Sequence, residues 1–157
     1  MPVTNNVTRL LDANGIAYTA YELPNQKLSA DEVAEFLGVD PGQVFKTIVV
    51  LRQRRGKPIL AVVPGPLEVS LKLLAKAVGE KKVASARHAE AEELTGLQTG
   101  GISALALLNK GFEIVLDETA QLFEQIYMSG GQRGLNVLLS PNDFVALTEA
   151  QIAEIAE

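Results

Sequence analysis

The sequence predicts an α+β fold: a curved mixed β-sheet of barrel-like shape with flanking helices. Segments with helical and with strand-like patterns alternate along the chain, and several strands follow one another through loops short enough to join antiparallel neighbours. Two consecutive segments, 45–51 and 58–63, are largely apolar and β-branched, which indicates burial on both faces of a sheet. At 157 residues the chain has the length of one domain, and we expect residues 1–157 to form it.

The N-terminal part of the chain predicts two helices around one strand. Thr4 is the expected N-cap of the first helix, and Gly15 supplies the left-handed residue that ends it. Residues 16–23 contain two tyrosines and precede a proline, as expected of a strand. Ser29 and Glu32 have the spacing of a capping box, so a second helix begins there. The predicted apolar face of this helix is Val33, Phe36 and Leu37.

The middle of the chain predicts the two central strands. Segments 45–51 and 58–63 are joined by residues 52–57, whose charges and glycine are typical of a hairpin loop. Pro64-Gly65-Pro66 then ends the pair, because proline cannot donate to a strand ladder. The elements predicted after this break are a helix over 69–78, a short strand over 82–85 and a short acidic helix over 89–94.

The last third predicts three strands and two helices. Ser140 followed by Pro141 has the pattern of an N-cap with proline at the first helical position, so we expect a helix through Leu147. Thr148 is the expected cap of a final helix that runs to the end of the chain. The predicted strands are 112–116, 126–128 and 135–139.

Composition excludes several classes of protein. The chain has no cysteine, so disulfides and thiolate chemistry by the protein are excluded. The single histidine, His88, is expected on the surface, and the carboxylates do not cluster at ligand spacing, so we expect no metal and no other cofactor. The N-terminus lacks the basic and apolar pattern of a targeting signal, and no apolar run approaches about 18 residues. We therefore expect a cytoplasmic protein without a membrane partner.

Charge is distributed unevenly along this acidic chain. The net charge is −5, but residues 46–87 contain ten basic and two acidic side chains, while the remainder carries a net charge of −13. A basic segment of this kind is typical of a surface that meets a polyanion. A solvated hairpin and helix explain it as well, and both interpretations stay open. The basic residues expected to bind a polyanion are Arg52, Arg54, Arg55, Lys72 and Lys76.

A lysine and two glycine loops predict a polar pocket. Lys46 lies at the start of the most apolar strand, so its ammonium either reaches solvent or points into a polar pocket, since unpaired burial is costly. The glycine loops at 100–103 and 129–134 interrupt apolar segments, as tight turns or as places where a ligand approaches the backbone. Neither loop fits the dinucleotide or P-loop pattern. Ser129 has no candidate base nearby in sequence and is expected to hydrogen-bond at a pocket wall.

Taken together, these segments resemble the YbaK-type aminoacyl-tRNA deacylases, a family that includes the editing domain of bacterial prolyl-tRNA synthetases. The matching segments are 45–47 (Phe-Lys-Thr), 99–103 (Thr-Gly-Gly-Ile-Ser) and 127–135. The resemblance also covers both N-terminal helices and residues 140–143, so it spans essentially the whole chain. Three ordered motifs are a specific signal, and they imply the fold of that editing domain.

The resemblance implies trans-editing, which is hydrolysis of the ester that joins a wrong amino acid, here cysteine, to tRNA(Pro). The implied chemistry is substrate-assisted, through the thiol of the substrate, in agreement with the lack of a triad or a protein thiol. The backbone N–H groups of Gly100 and Gly101 are expected to hold the ester carbonyl. The implied catalytic residues are Lys46, Gly101 and Ser129. The implied substrate-binding residues are Phe45, Thr47, Gly100, Ile102, Ser103, Gly130 and Gly131.

Specificity and partners follow from the same resemblance. A synthetase pocket shaped for proline rejects a smaller side chain weakly, because one methylene contributes about 1–3 kcal/mol, so a second site must remove the error. Thr47 resembles the cysteine-editing branch, whereas Ala104 and Ala106 stand where the family commonly has proline and glycine, at the expected rim of the pocket. The expected partners are mischarged tRNA(Pro), which the basic segment would bind, and prolyl-tRNA synthetase in a transient complex.

Three alternatives remain open from the sequence. One is deacylation of another mischarged tRNA, such as Ala-tRNA(Pro). Another is a non-catalytic module that binds tRNA or prolyl-tRNA synthetase, and a third is a domain whose glycine loops hold a small nucleotide.

Overall fold

The computed structural model describes residues 4–157, and this range contains five α-helices and eight β-strands. Each of these helices has eight residues, and none of them is long and apolar enough to cross a membrane. The helices are α1 (Asn6–Ala13), α2 (Ala30–Leu37), α3 (Leu71–Val78), α4 (His88–Thr95) and α5 (Pro141–Thr148). The strands are β1 (Tyr18–Glu22), β2 (Phe45–Arg52), β3 (Ile59–Pro64), β4 (Val83–Ser85), β5 (Glu113–Asp117), β6 (Ile126–Ser129), β7 (Leu135–Leu139) and β8 (Gln151–Ala153).

The strands form two sheets. The five-stranded sheet has the order β4-β2-β3-β5-β8, with β2 antiparallel to both β3 and β4, and with β3–β5 and β5–β8 parallel. The three-stranded sheet has the antiparallel order β1-β7-β6, and a parallel bridge between Val44 and Tyr127 links the two sheets. The mixed sheet and flanking helices are confirmed. The structure has two sheets where the sequence predicts one, and the strands within residues 4–157 are not closed into a barrel.

The hydrophobic core is divided by β3, all six residues of which are buried. Successive side chains of a strand point to opposite faces of the sheet. Accordingly, Leu60 and Val62 belong to the larger hydrophobic cluster, whereas Ile59, Ala61 and Val63 belong to a second cluster. The prediction that 45–51 and 58–63 pair centrally in a sheet is therefore confirmed.

Two helix starts follow from their capping side chains. At α2 the Ser29 hydroxyl accepts a hydrogen bond from the Glu32 N–H at 3.1 Å, and the Glu32 carboxylate accepts one from the Ser29 N–H at 3.0 Å, as the capping box predicts. At α1 the predicted N-cap is one residue too early. Asn5, rather than Thr4, caps this helix, because its side chain accepts from the N–H of Thr8 while the Thr8 hydroxyl accepts from the N–H of Asn5.

The predicted apolar face of α2 is partly wrong. Val33 and Ala34 are buried, and they pack with Val44 and Tyr127 where the two sheets meet. Phe36 is 56% exposed, because its position lies outside the stripe formed by residues 33, 34 and 37.

The predicted final helix is wrong, because the chain after α5 is extended. Helix α5 ends in the left-handed residue Glu149 (φ 58°), and β8 then pairs in parallel with β5. The buried carboxylate of Asp117 accepts hydrogen bonds from the N–H groups of Ile155 at 2.9 Å and Ala156 at 3.1 Å. Burial of Ile155 and these two bonds stabilise an extended segment whose apolar spacing also suits a helix.

We expect Asp117→Ala to lower the free energy of unfolding by about 2–4 kcal/mol, because the buried N–H of Ile155 and the partly buried N–H of Ala156 would lose their acceptor. Urea denaturation monitored by circular dichroism measures this change. The matched control is Glu118→Ala at the next, exposed position, which should change stability by less than about 0.5 kcal/mol. Equal effects of the two variants would show that Asp117 does not anchor the C-terminal segment.

Candidate functional site

A cleft of about 500 Å³ lies where the start of α2, the start of β2 and the two glycine loops meet. This volume falls within the range of about 300–1,000 Å³ that is usual for small-molecule sites. The residues that line the cleft are 27–33, 44–48, Gly65, Glu68, His88, Thr99, Gly100, Ile102, Ser129 and Asn136.

The Lys46 ammonium is held at the wall of this cleft. Its Nζ donates a hydrogen bond to the carbonyl oxygen of Gly65 at 3.0 Å and lies 3.5 Å from Oε1 of Glu68. The Glu68 side chain is 81% exposed, so this ion pair contributes little, whereas the carbonyl fixes the position of the ammonium. Of the two sequence interpretations of Lys46, the structure supports a polar pocket.

Gly65 allows the turn after β3 to approach the start of α2. A Cβ atom at this position would lie 2.7 Å from the Cβ of Ala30, closer than side chains can approach. The N–H of Gly65 also donates to the carbonyl of Val44 at 2.8 Å. The break predicted at Pro64-Gly65-Pro66 therefore positions the carbonyl that holds Lys46.

Ser129 and Asn136 are cross-strand partners on β6 and β7, and both line the cleft. The Ser129 hydroxyl accepts a hydrogen bond from the Gly131 N–H at 3.2 Å. Within residues 4–157 no histidine, lysine or carboxylate forms a hydrogen bond with this hydroxyl. Without a base to take its proton, Ser129 is a poor nucleophile and serves as a polar group of the wall.

Two polar atoms in the cleft wall have no partner within residues 4–157. They are Oδ1 of Asn136, a residue that is 7% exposed, and Oγ1 of Thr99. Most buried polar atoms in proteins are hydrogen-bonded, so these two are suited to bind a polar ligand. The sequence interpretation missed Asn136, although a polar residue inside the apolar segment 135–139 is a signal that could have revealed it.

The two glycine loops pack against each other. A Cβ atom at Gly101 would lie 2.9 Å from the backbone of both Gln132 and Arg133. The Arg133 Nε also donates to the carbonyl of Thr99 at 2.8 Å. Gly101 is therefore required for close backbone packing, and this contact brings Gly100 and Ser129 into one cleft.

The structure separates the ten residues implied for catalysis and substrate binding into two groups. Those that line the cleft are Phe45, Lys46, Thr47, Gly100, Ile102 and Ser129. Those that lie outside the lining are Gly101, Ser103, Gly130 and Gly131.

The residues outside the lining make hydrogen bonds or packing contacts that explain why these residue types occur there. The Ser103 hydroxyl is buried and accepts from the N–H of Leu105 at 3.1 Å. The Gly130 N–H donates to the carbonyl of Leu135 at 2.8 Å. A Cβ atom at Gly131 would lie 2.9 Å from Val7, and the φ of Gly131 is +95°.

Of the two backbone N–H groups expected to hold the ester carbonyl, those of Gly100 and Gly101, only one is free. The N–H of Gly101 donates to the carbonyl of Gln98 at 2.8 Å, so it is not available to an ester carbonyl. This contact corrects the expectation for Gly101. The N–H of Gly100 has no acceptor within residues 4–157, and Gly100 lines the cleft.

The alanines that replace the family's proline and glycine do not line the cleft. Ala104 is buried, and the Cβ of Ala106 would lie 3.2 Å from a Cβ at Gly131. The expectation that they stand at the rim is therefore wrong, because neither alanine is among the residues that line the cleft.

The basic hairpin lies at the end of β2 that is remote from the cleft, and two of its arginines are paired. Arg52 Nη2 donates to Oε1 of Glu113 at 2.6 Å, and the Arg52 side chain is 11% exposed. Arg54 pairs with the buried carboxylate of Glu80. Burial raises the pKa of Glu80, but the hydrogen bonds and charge of Arg54 outweigh it, so this pKa lies below its usual range. Arg55, Lys72 and Lys76 are exposed.

His88 is exposed, as predicted, but it also stands at the rim of the cleft. Its Nδ1 lies 3.4 Å from Nζ of Lys27, a residue that the sequence did not single out. No group of histidine, cysteine, aspartate and glutamate side chains within residues 4–157 could hold a metal ion.

A family model and a similar protein both relate this chain to proteins that edit aminoacyl-tRNA. The model of the aminoacyl-tRNA editing domain family matches residues 24–147, a range that contains every residue lining the cleft. A protein of Enterococcus faecalis named "Putative Cys-tRNA(Pro)/Cys-tRNA(Cys) deacylase EbsC" is 40% identical over 152 residues, which are 96% of this chain and 92% of that protein.

Two solved structures share the fold over nearly the full length. The hypothetical protein APE2540 superposes with a TM-score of 0.89 at 27% identity, over 98% of this chain and all of that one. A structure described as a "putative trans-editing enzyme for prolyl tRNA synthetase" superposes with a TM-score of 0.82 at 26% identity, over 99% of both chains.

We expect Gly101→Ala to lower the free energy of unfolding by about 1–3 kcal/mol, because its methyl group would force apart the two glycine loops. The matched control is Gly42→Ala, whose methyl group would meet only the side chain of Asp40 and should cost less than about 0.5 kcal/mol. Chemical denaturation measures both variants. If Gly101→Ala were as stable as the control, close packing would not explain this glycine.

Proposed function

The chain belongs to the aminoacyl-tRNA editing domain family, and we propose that it is a trans-editing hydrolase that removes cysteine from mischarged tRNA(Pro). The reaction adds one water across the aminoacyl ester and releases free amino acid and intact tRNA. Residues 1–157 act as one editing domain in this proposal, in the cytoplasm where tRNA is charged.

One observation carries the proposal: three motifs that are distant in sequence meet in one cleft. Residues 45–47, Gly100 and Ser129 come from β2, the first glycine loop and β6. The cleft is large enough for a small ligand and lacks a nucleophile with a hydrogen-bonded base among residues 4–157. Such a site suits a substrate that brings its own reactive group.

Three groups of the wall have roles in this proposal. The Lys46 ammonium, which the Gly65 carbonyl holds, donates to the ester carbonyl or the ribose and positions the reacting carbon. The N–H of Gly100 donates to the oxygen that gains negative charge. The unpaired Oδ1 of Asn136 accepts from a polar group of the substrate.

The chemistry is substrate-assisted. The thiol of the bound cysteine attacks its own ester carbonyl, so a carbon–sulfur bond forms while the carbon–oxygen bond to the ribose breaks. The thiol proton ends on the ribose oxygen, which leaves as the hydroxyl of tRNA. Water then opens the cyclic thioester to free cysteine. Protein groups supply position and charge stabilisation, so no protein nucleophile is needed.

The tRNA body lies along exposed basic residues in this proposal. Arg55, Lys72 and Lys76 remain available, whereas Arg52 and Arg54 are engaged by Glu113 and Glu80. Helix α3 starts three residues after Glu68 of the cleft and ends at Val78, two residues before Glu80, which pairs with Arg54 of the basic hairpin. Its lysines thus lead away from the cleft along one element. Prolyl-tRNA synthetase is the proposed transient partner.

We expect the purified protein to release amino acid from Cys-tRNA(Pro) faster than from Ala-, Ser- or Thr-tRNA(Pro), because only cysteine supplies a thiol. A panel of these substrates together with Cys-tRNA(Cys), each labelled in the amino acid, measures the rates. Faster release of alanine would establish the Ala-tRNA(Pro) alternative. Binding of tRNA or synthetase without release of any amino acid would establish a non-catalytic module.

We expect Lys46→Ala to lower kcat/KM for Cys-tRNA(Pro) by at least about 100-fold, because the ammonium that positions the ester is removed. Single-turnover deacylation measures the loss, and circular dichroism verifies the fold. The matched control is Lys57→Ala, which removes a lysine that stacks on Phe112 outside the cleft and should retain activity. Full activity of Lys46→Ala would overturn the assignment of Lys46.

A further inference from the structure

We propose that Lys27 and His88 form a phosphate-binding pair at the cleft mouth, which holds the phosphodiester preceding the terminal adenosine of the bound tRNA. This inference rests on the proposed deacylase function and adds a recognition site that neither the basic segment nor the three motifs contain.

The pair joins two segments that are 61 residues apart in sequence. Nζ of Lys27 lies 3.4 Å from Nδ1 of His88, both residues line the cleft, and both side chains are exposed. The backbone of Lys27 is also fixed, because a Cβ atom at Gly100 would lie 3.2 Å from its Cα. The pair therefore has a defined place beside the first glycine loop.

The pair presents hydrogen-bond donors to any further ligand. An ammonium group can only donate, so a hydrogen bond at this 3.4 Å separation requires the tautomer in which Nδ1 of His88 accepts and Nε2 carries the proton. The remaining ammonium protons of Lys27 and the N–H at Nε2 are then the free polar groups of the pair. Two donors and one positive charge match an anionic oxygen of a phosphodiester.

Two carboxylates near the pair are hydrogen-bonded to backbone N–H groups. Glu92 accepts from the N–H of Thr99 at 2.7 Å, and Glu32 accepts from the N–H of Ser29 at 3.0 Å. Within residues 4–157, Lys27 takes part in no ion pair. Hydrogen bonding by Thr99 holds the pKa of Glu92 below its usual range against the effect of desolvation, with smaller contributions from the charges of Arg133 and Lys27. Because no carboxylate within residues 4–157 forms an ion pair with it, the Lys27 ammonium has hydrogen-bonding capacity left for an external anion.

The size of the cleft places a phosphate at its mouth. A cleft of about 500 Å³ has the size of a small-molecule site, so in this proposal it holds the terminal aminoacylated nucleoside and the chain of the tRNA leaves through the opening. The other cation of the cleft, Lys46, is held inside by Gly65. Arg52 and Arg54 lie at the remote end of β2 in ion pairs. Lys27 and His88 are therefore placed to meet the first phosphate outside the cleft.

The test compares two small esters that differ by one phosphodiester. One is cysteinyl-adenosine, and the other is cytidylyl-(3′→5′)-adenosine carrying the same cysteinyl ester. For the wild-type protein we expect kcat/KM to be at least about tenfold higher for the dinucleotide ester than for cysteinyl-adenosine. This advantage should come from a lower KM. The double variant Lys27→Gln/His88→Gln should lose this advantage and should hydrolyse cysteinyl-adenosine at the wild-type rate. Lys110→Gln, an exposed lysine outside the cleft, is the matched control and should retain the advantage.

Each outcome decides one of the two proposals. Equal kcat/KM of wild-type protein for the two esters, or an equal loss on both esters in the double variant, would overturn the phosphate-binding pair and leave the deacylase intact. If wild-type protein hydrolysed neither ester and no aminoacyl-tRNA, the proposed function would fail. Titration calorimetry with cytidylyl-adenosine and adenosine then still tests the pair: tenfold tighter binding of the dinucleotide, lost in the double variant, supports it, and equal affinities overturn it.

Discussion

Strand β3 is buried between two hydrophobic clusters, and the position of the cleft depends on this burial. Each buried Val, Leu or Ile side chain of β3 contributes about 1.5–3 kcal/mol of hydrophobic free energy, and all six residues of the strand are buried. Such a strand pair tolerates a charged group only at its end. Lys46 occupies that end, where the turn after β3 supplies the Gly65 carbonyl as its acceptor. The burial of the sheet thus determines where the one internal ammonium of the cleft can lie.

The cleft combines rigid packing with unpaired polar atoms. Gly65 and Gly101 are present because another backbone or a neighbouring helix lies within 3 Å of the position that a side chain would occupy. These two glycines are therefore explained by close packing of the loops and not by a need for flexible loops. Asn136 and Thr99, by contrast, each leave a buried polar atom without a partner in residues 4–157. A site of this kind is prepared to position a substrate, and it leaves the reactive group to the substrate.

A basic segment in the sequence does not by itself form a basic binding surface, because some of its side chains form ion pairs within the fold. The segment 46–87 is strongly basic, but Arg52 and Arg54 stabilise the fold through Glu113 and Glu80. Removal of Arg54 would leave the buried carboxylate of Glu80 uncompensated, so these pairs serve structure before recognition. The cation at the cleft mouth is instead Lys27, which stands beside His88 and lies outside the basic segment.

The sequence by itself determined the capped starts of α2 and α5, the central position of the apolar strand pair and the three motifs of the cleft, because each depends on local pattern or on burial of a whole segment. Only the tertiary structure decided the C-terminal strand, since the spacing of Ile152 and Ile155 suits a helix as well, and the distant Asp117 selects the extended form. The division into two sheets, the packing role of Gly101 and the meeting of Lys27 with His88 likewise depend on contacts between segments far apart in the chain. No local pattern encodes such contacts, because their free energy arises only when the segments meet.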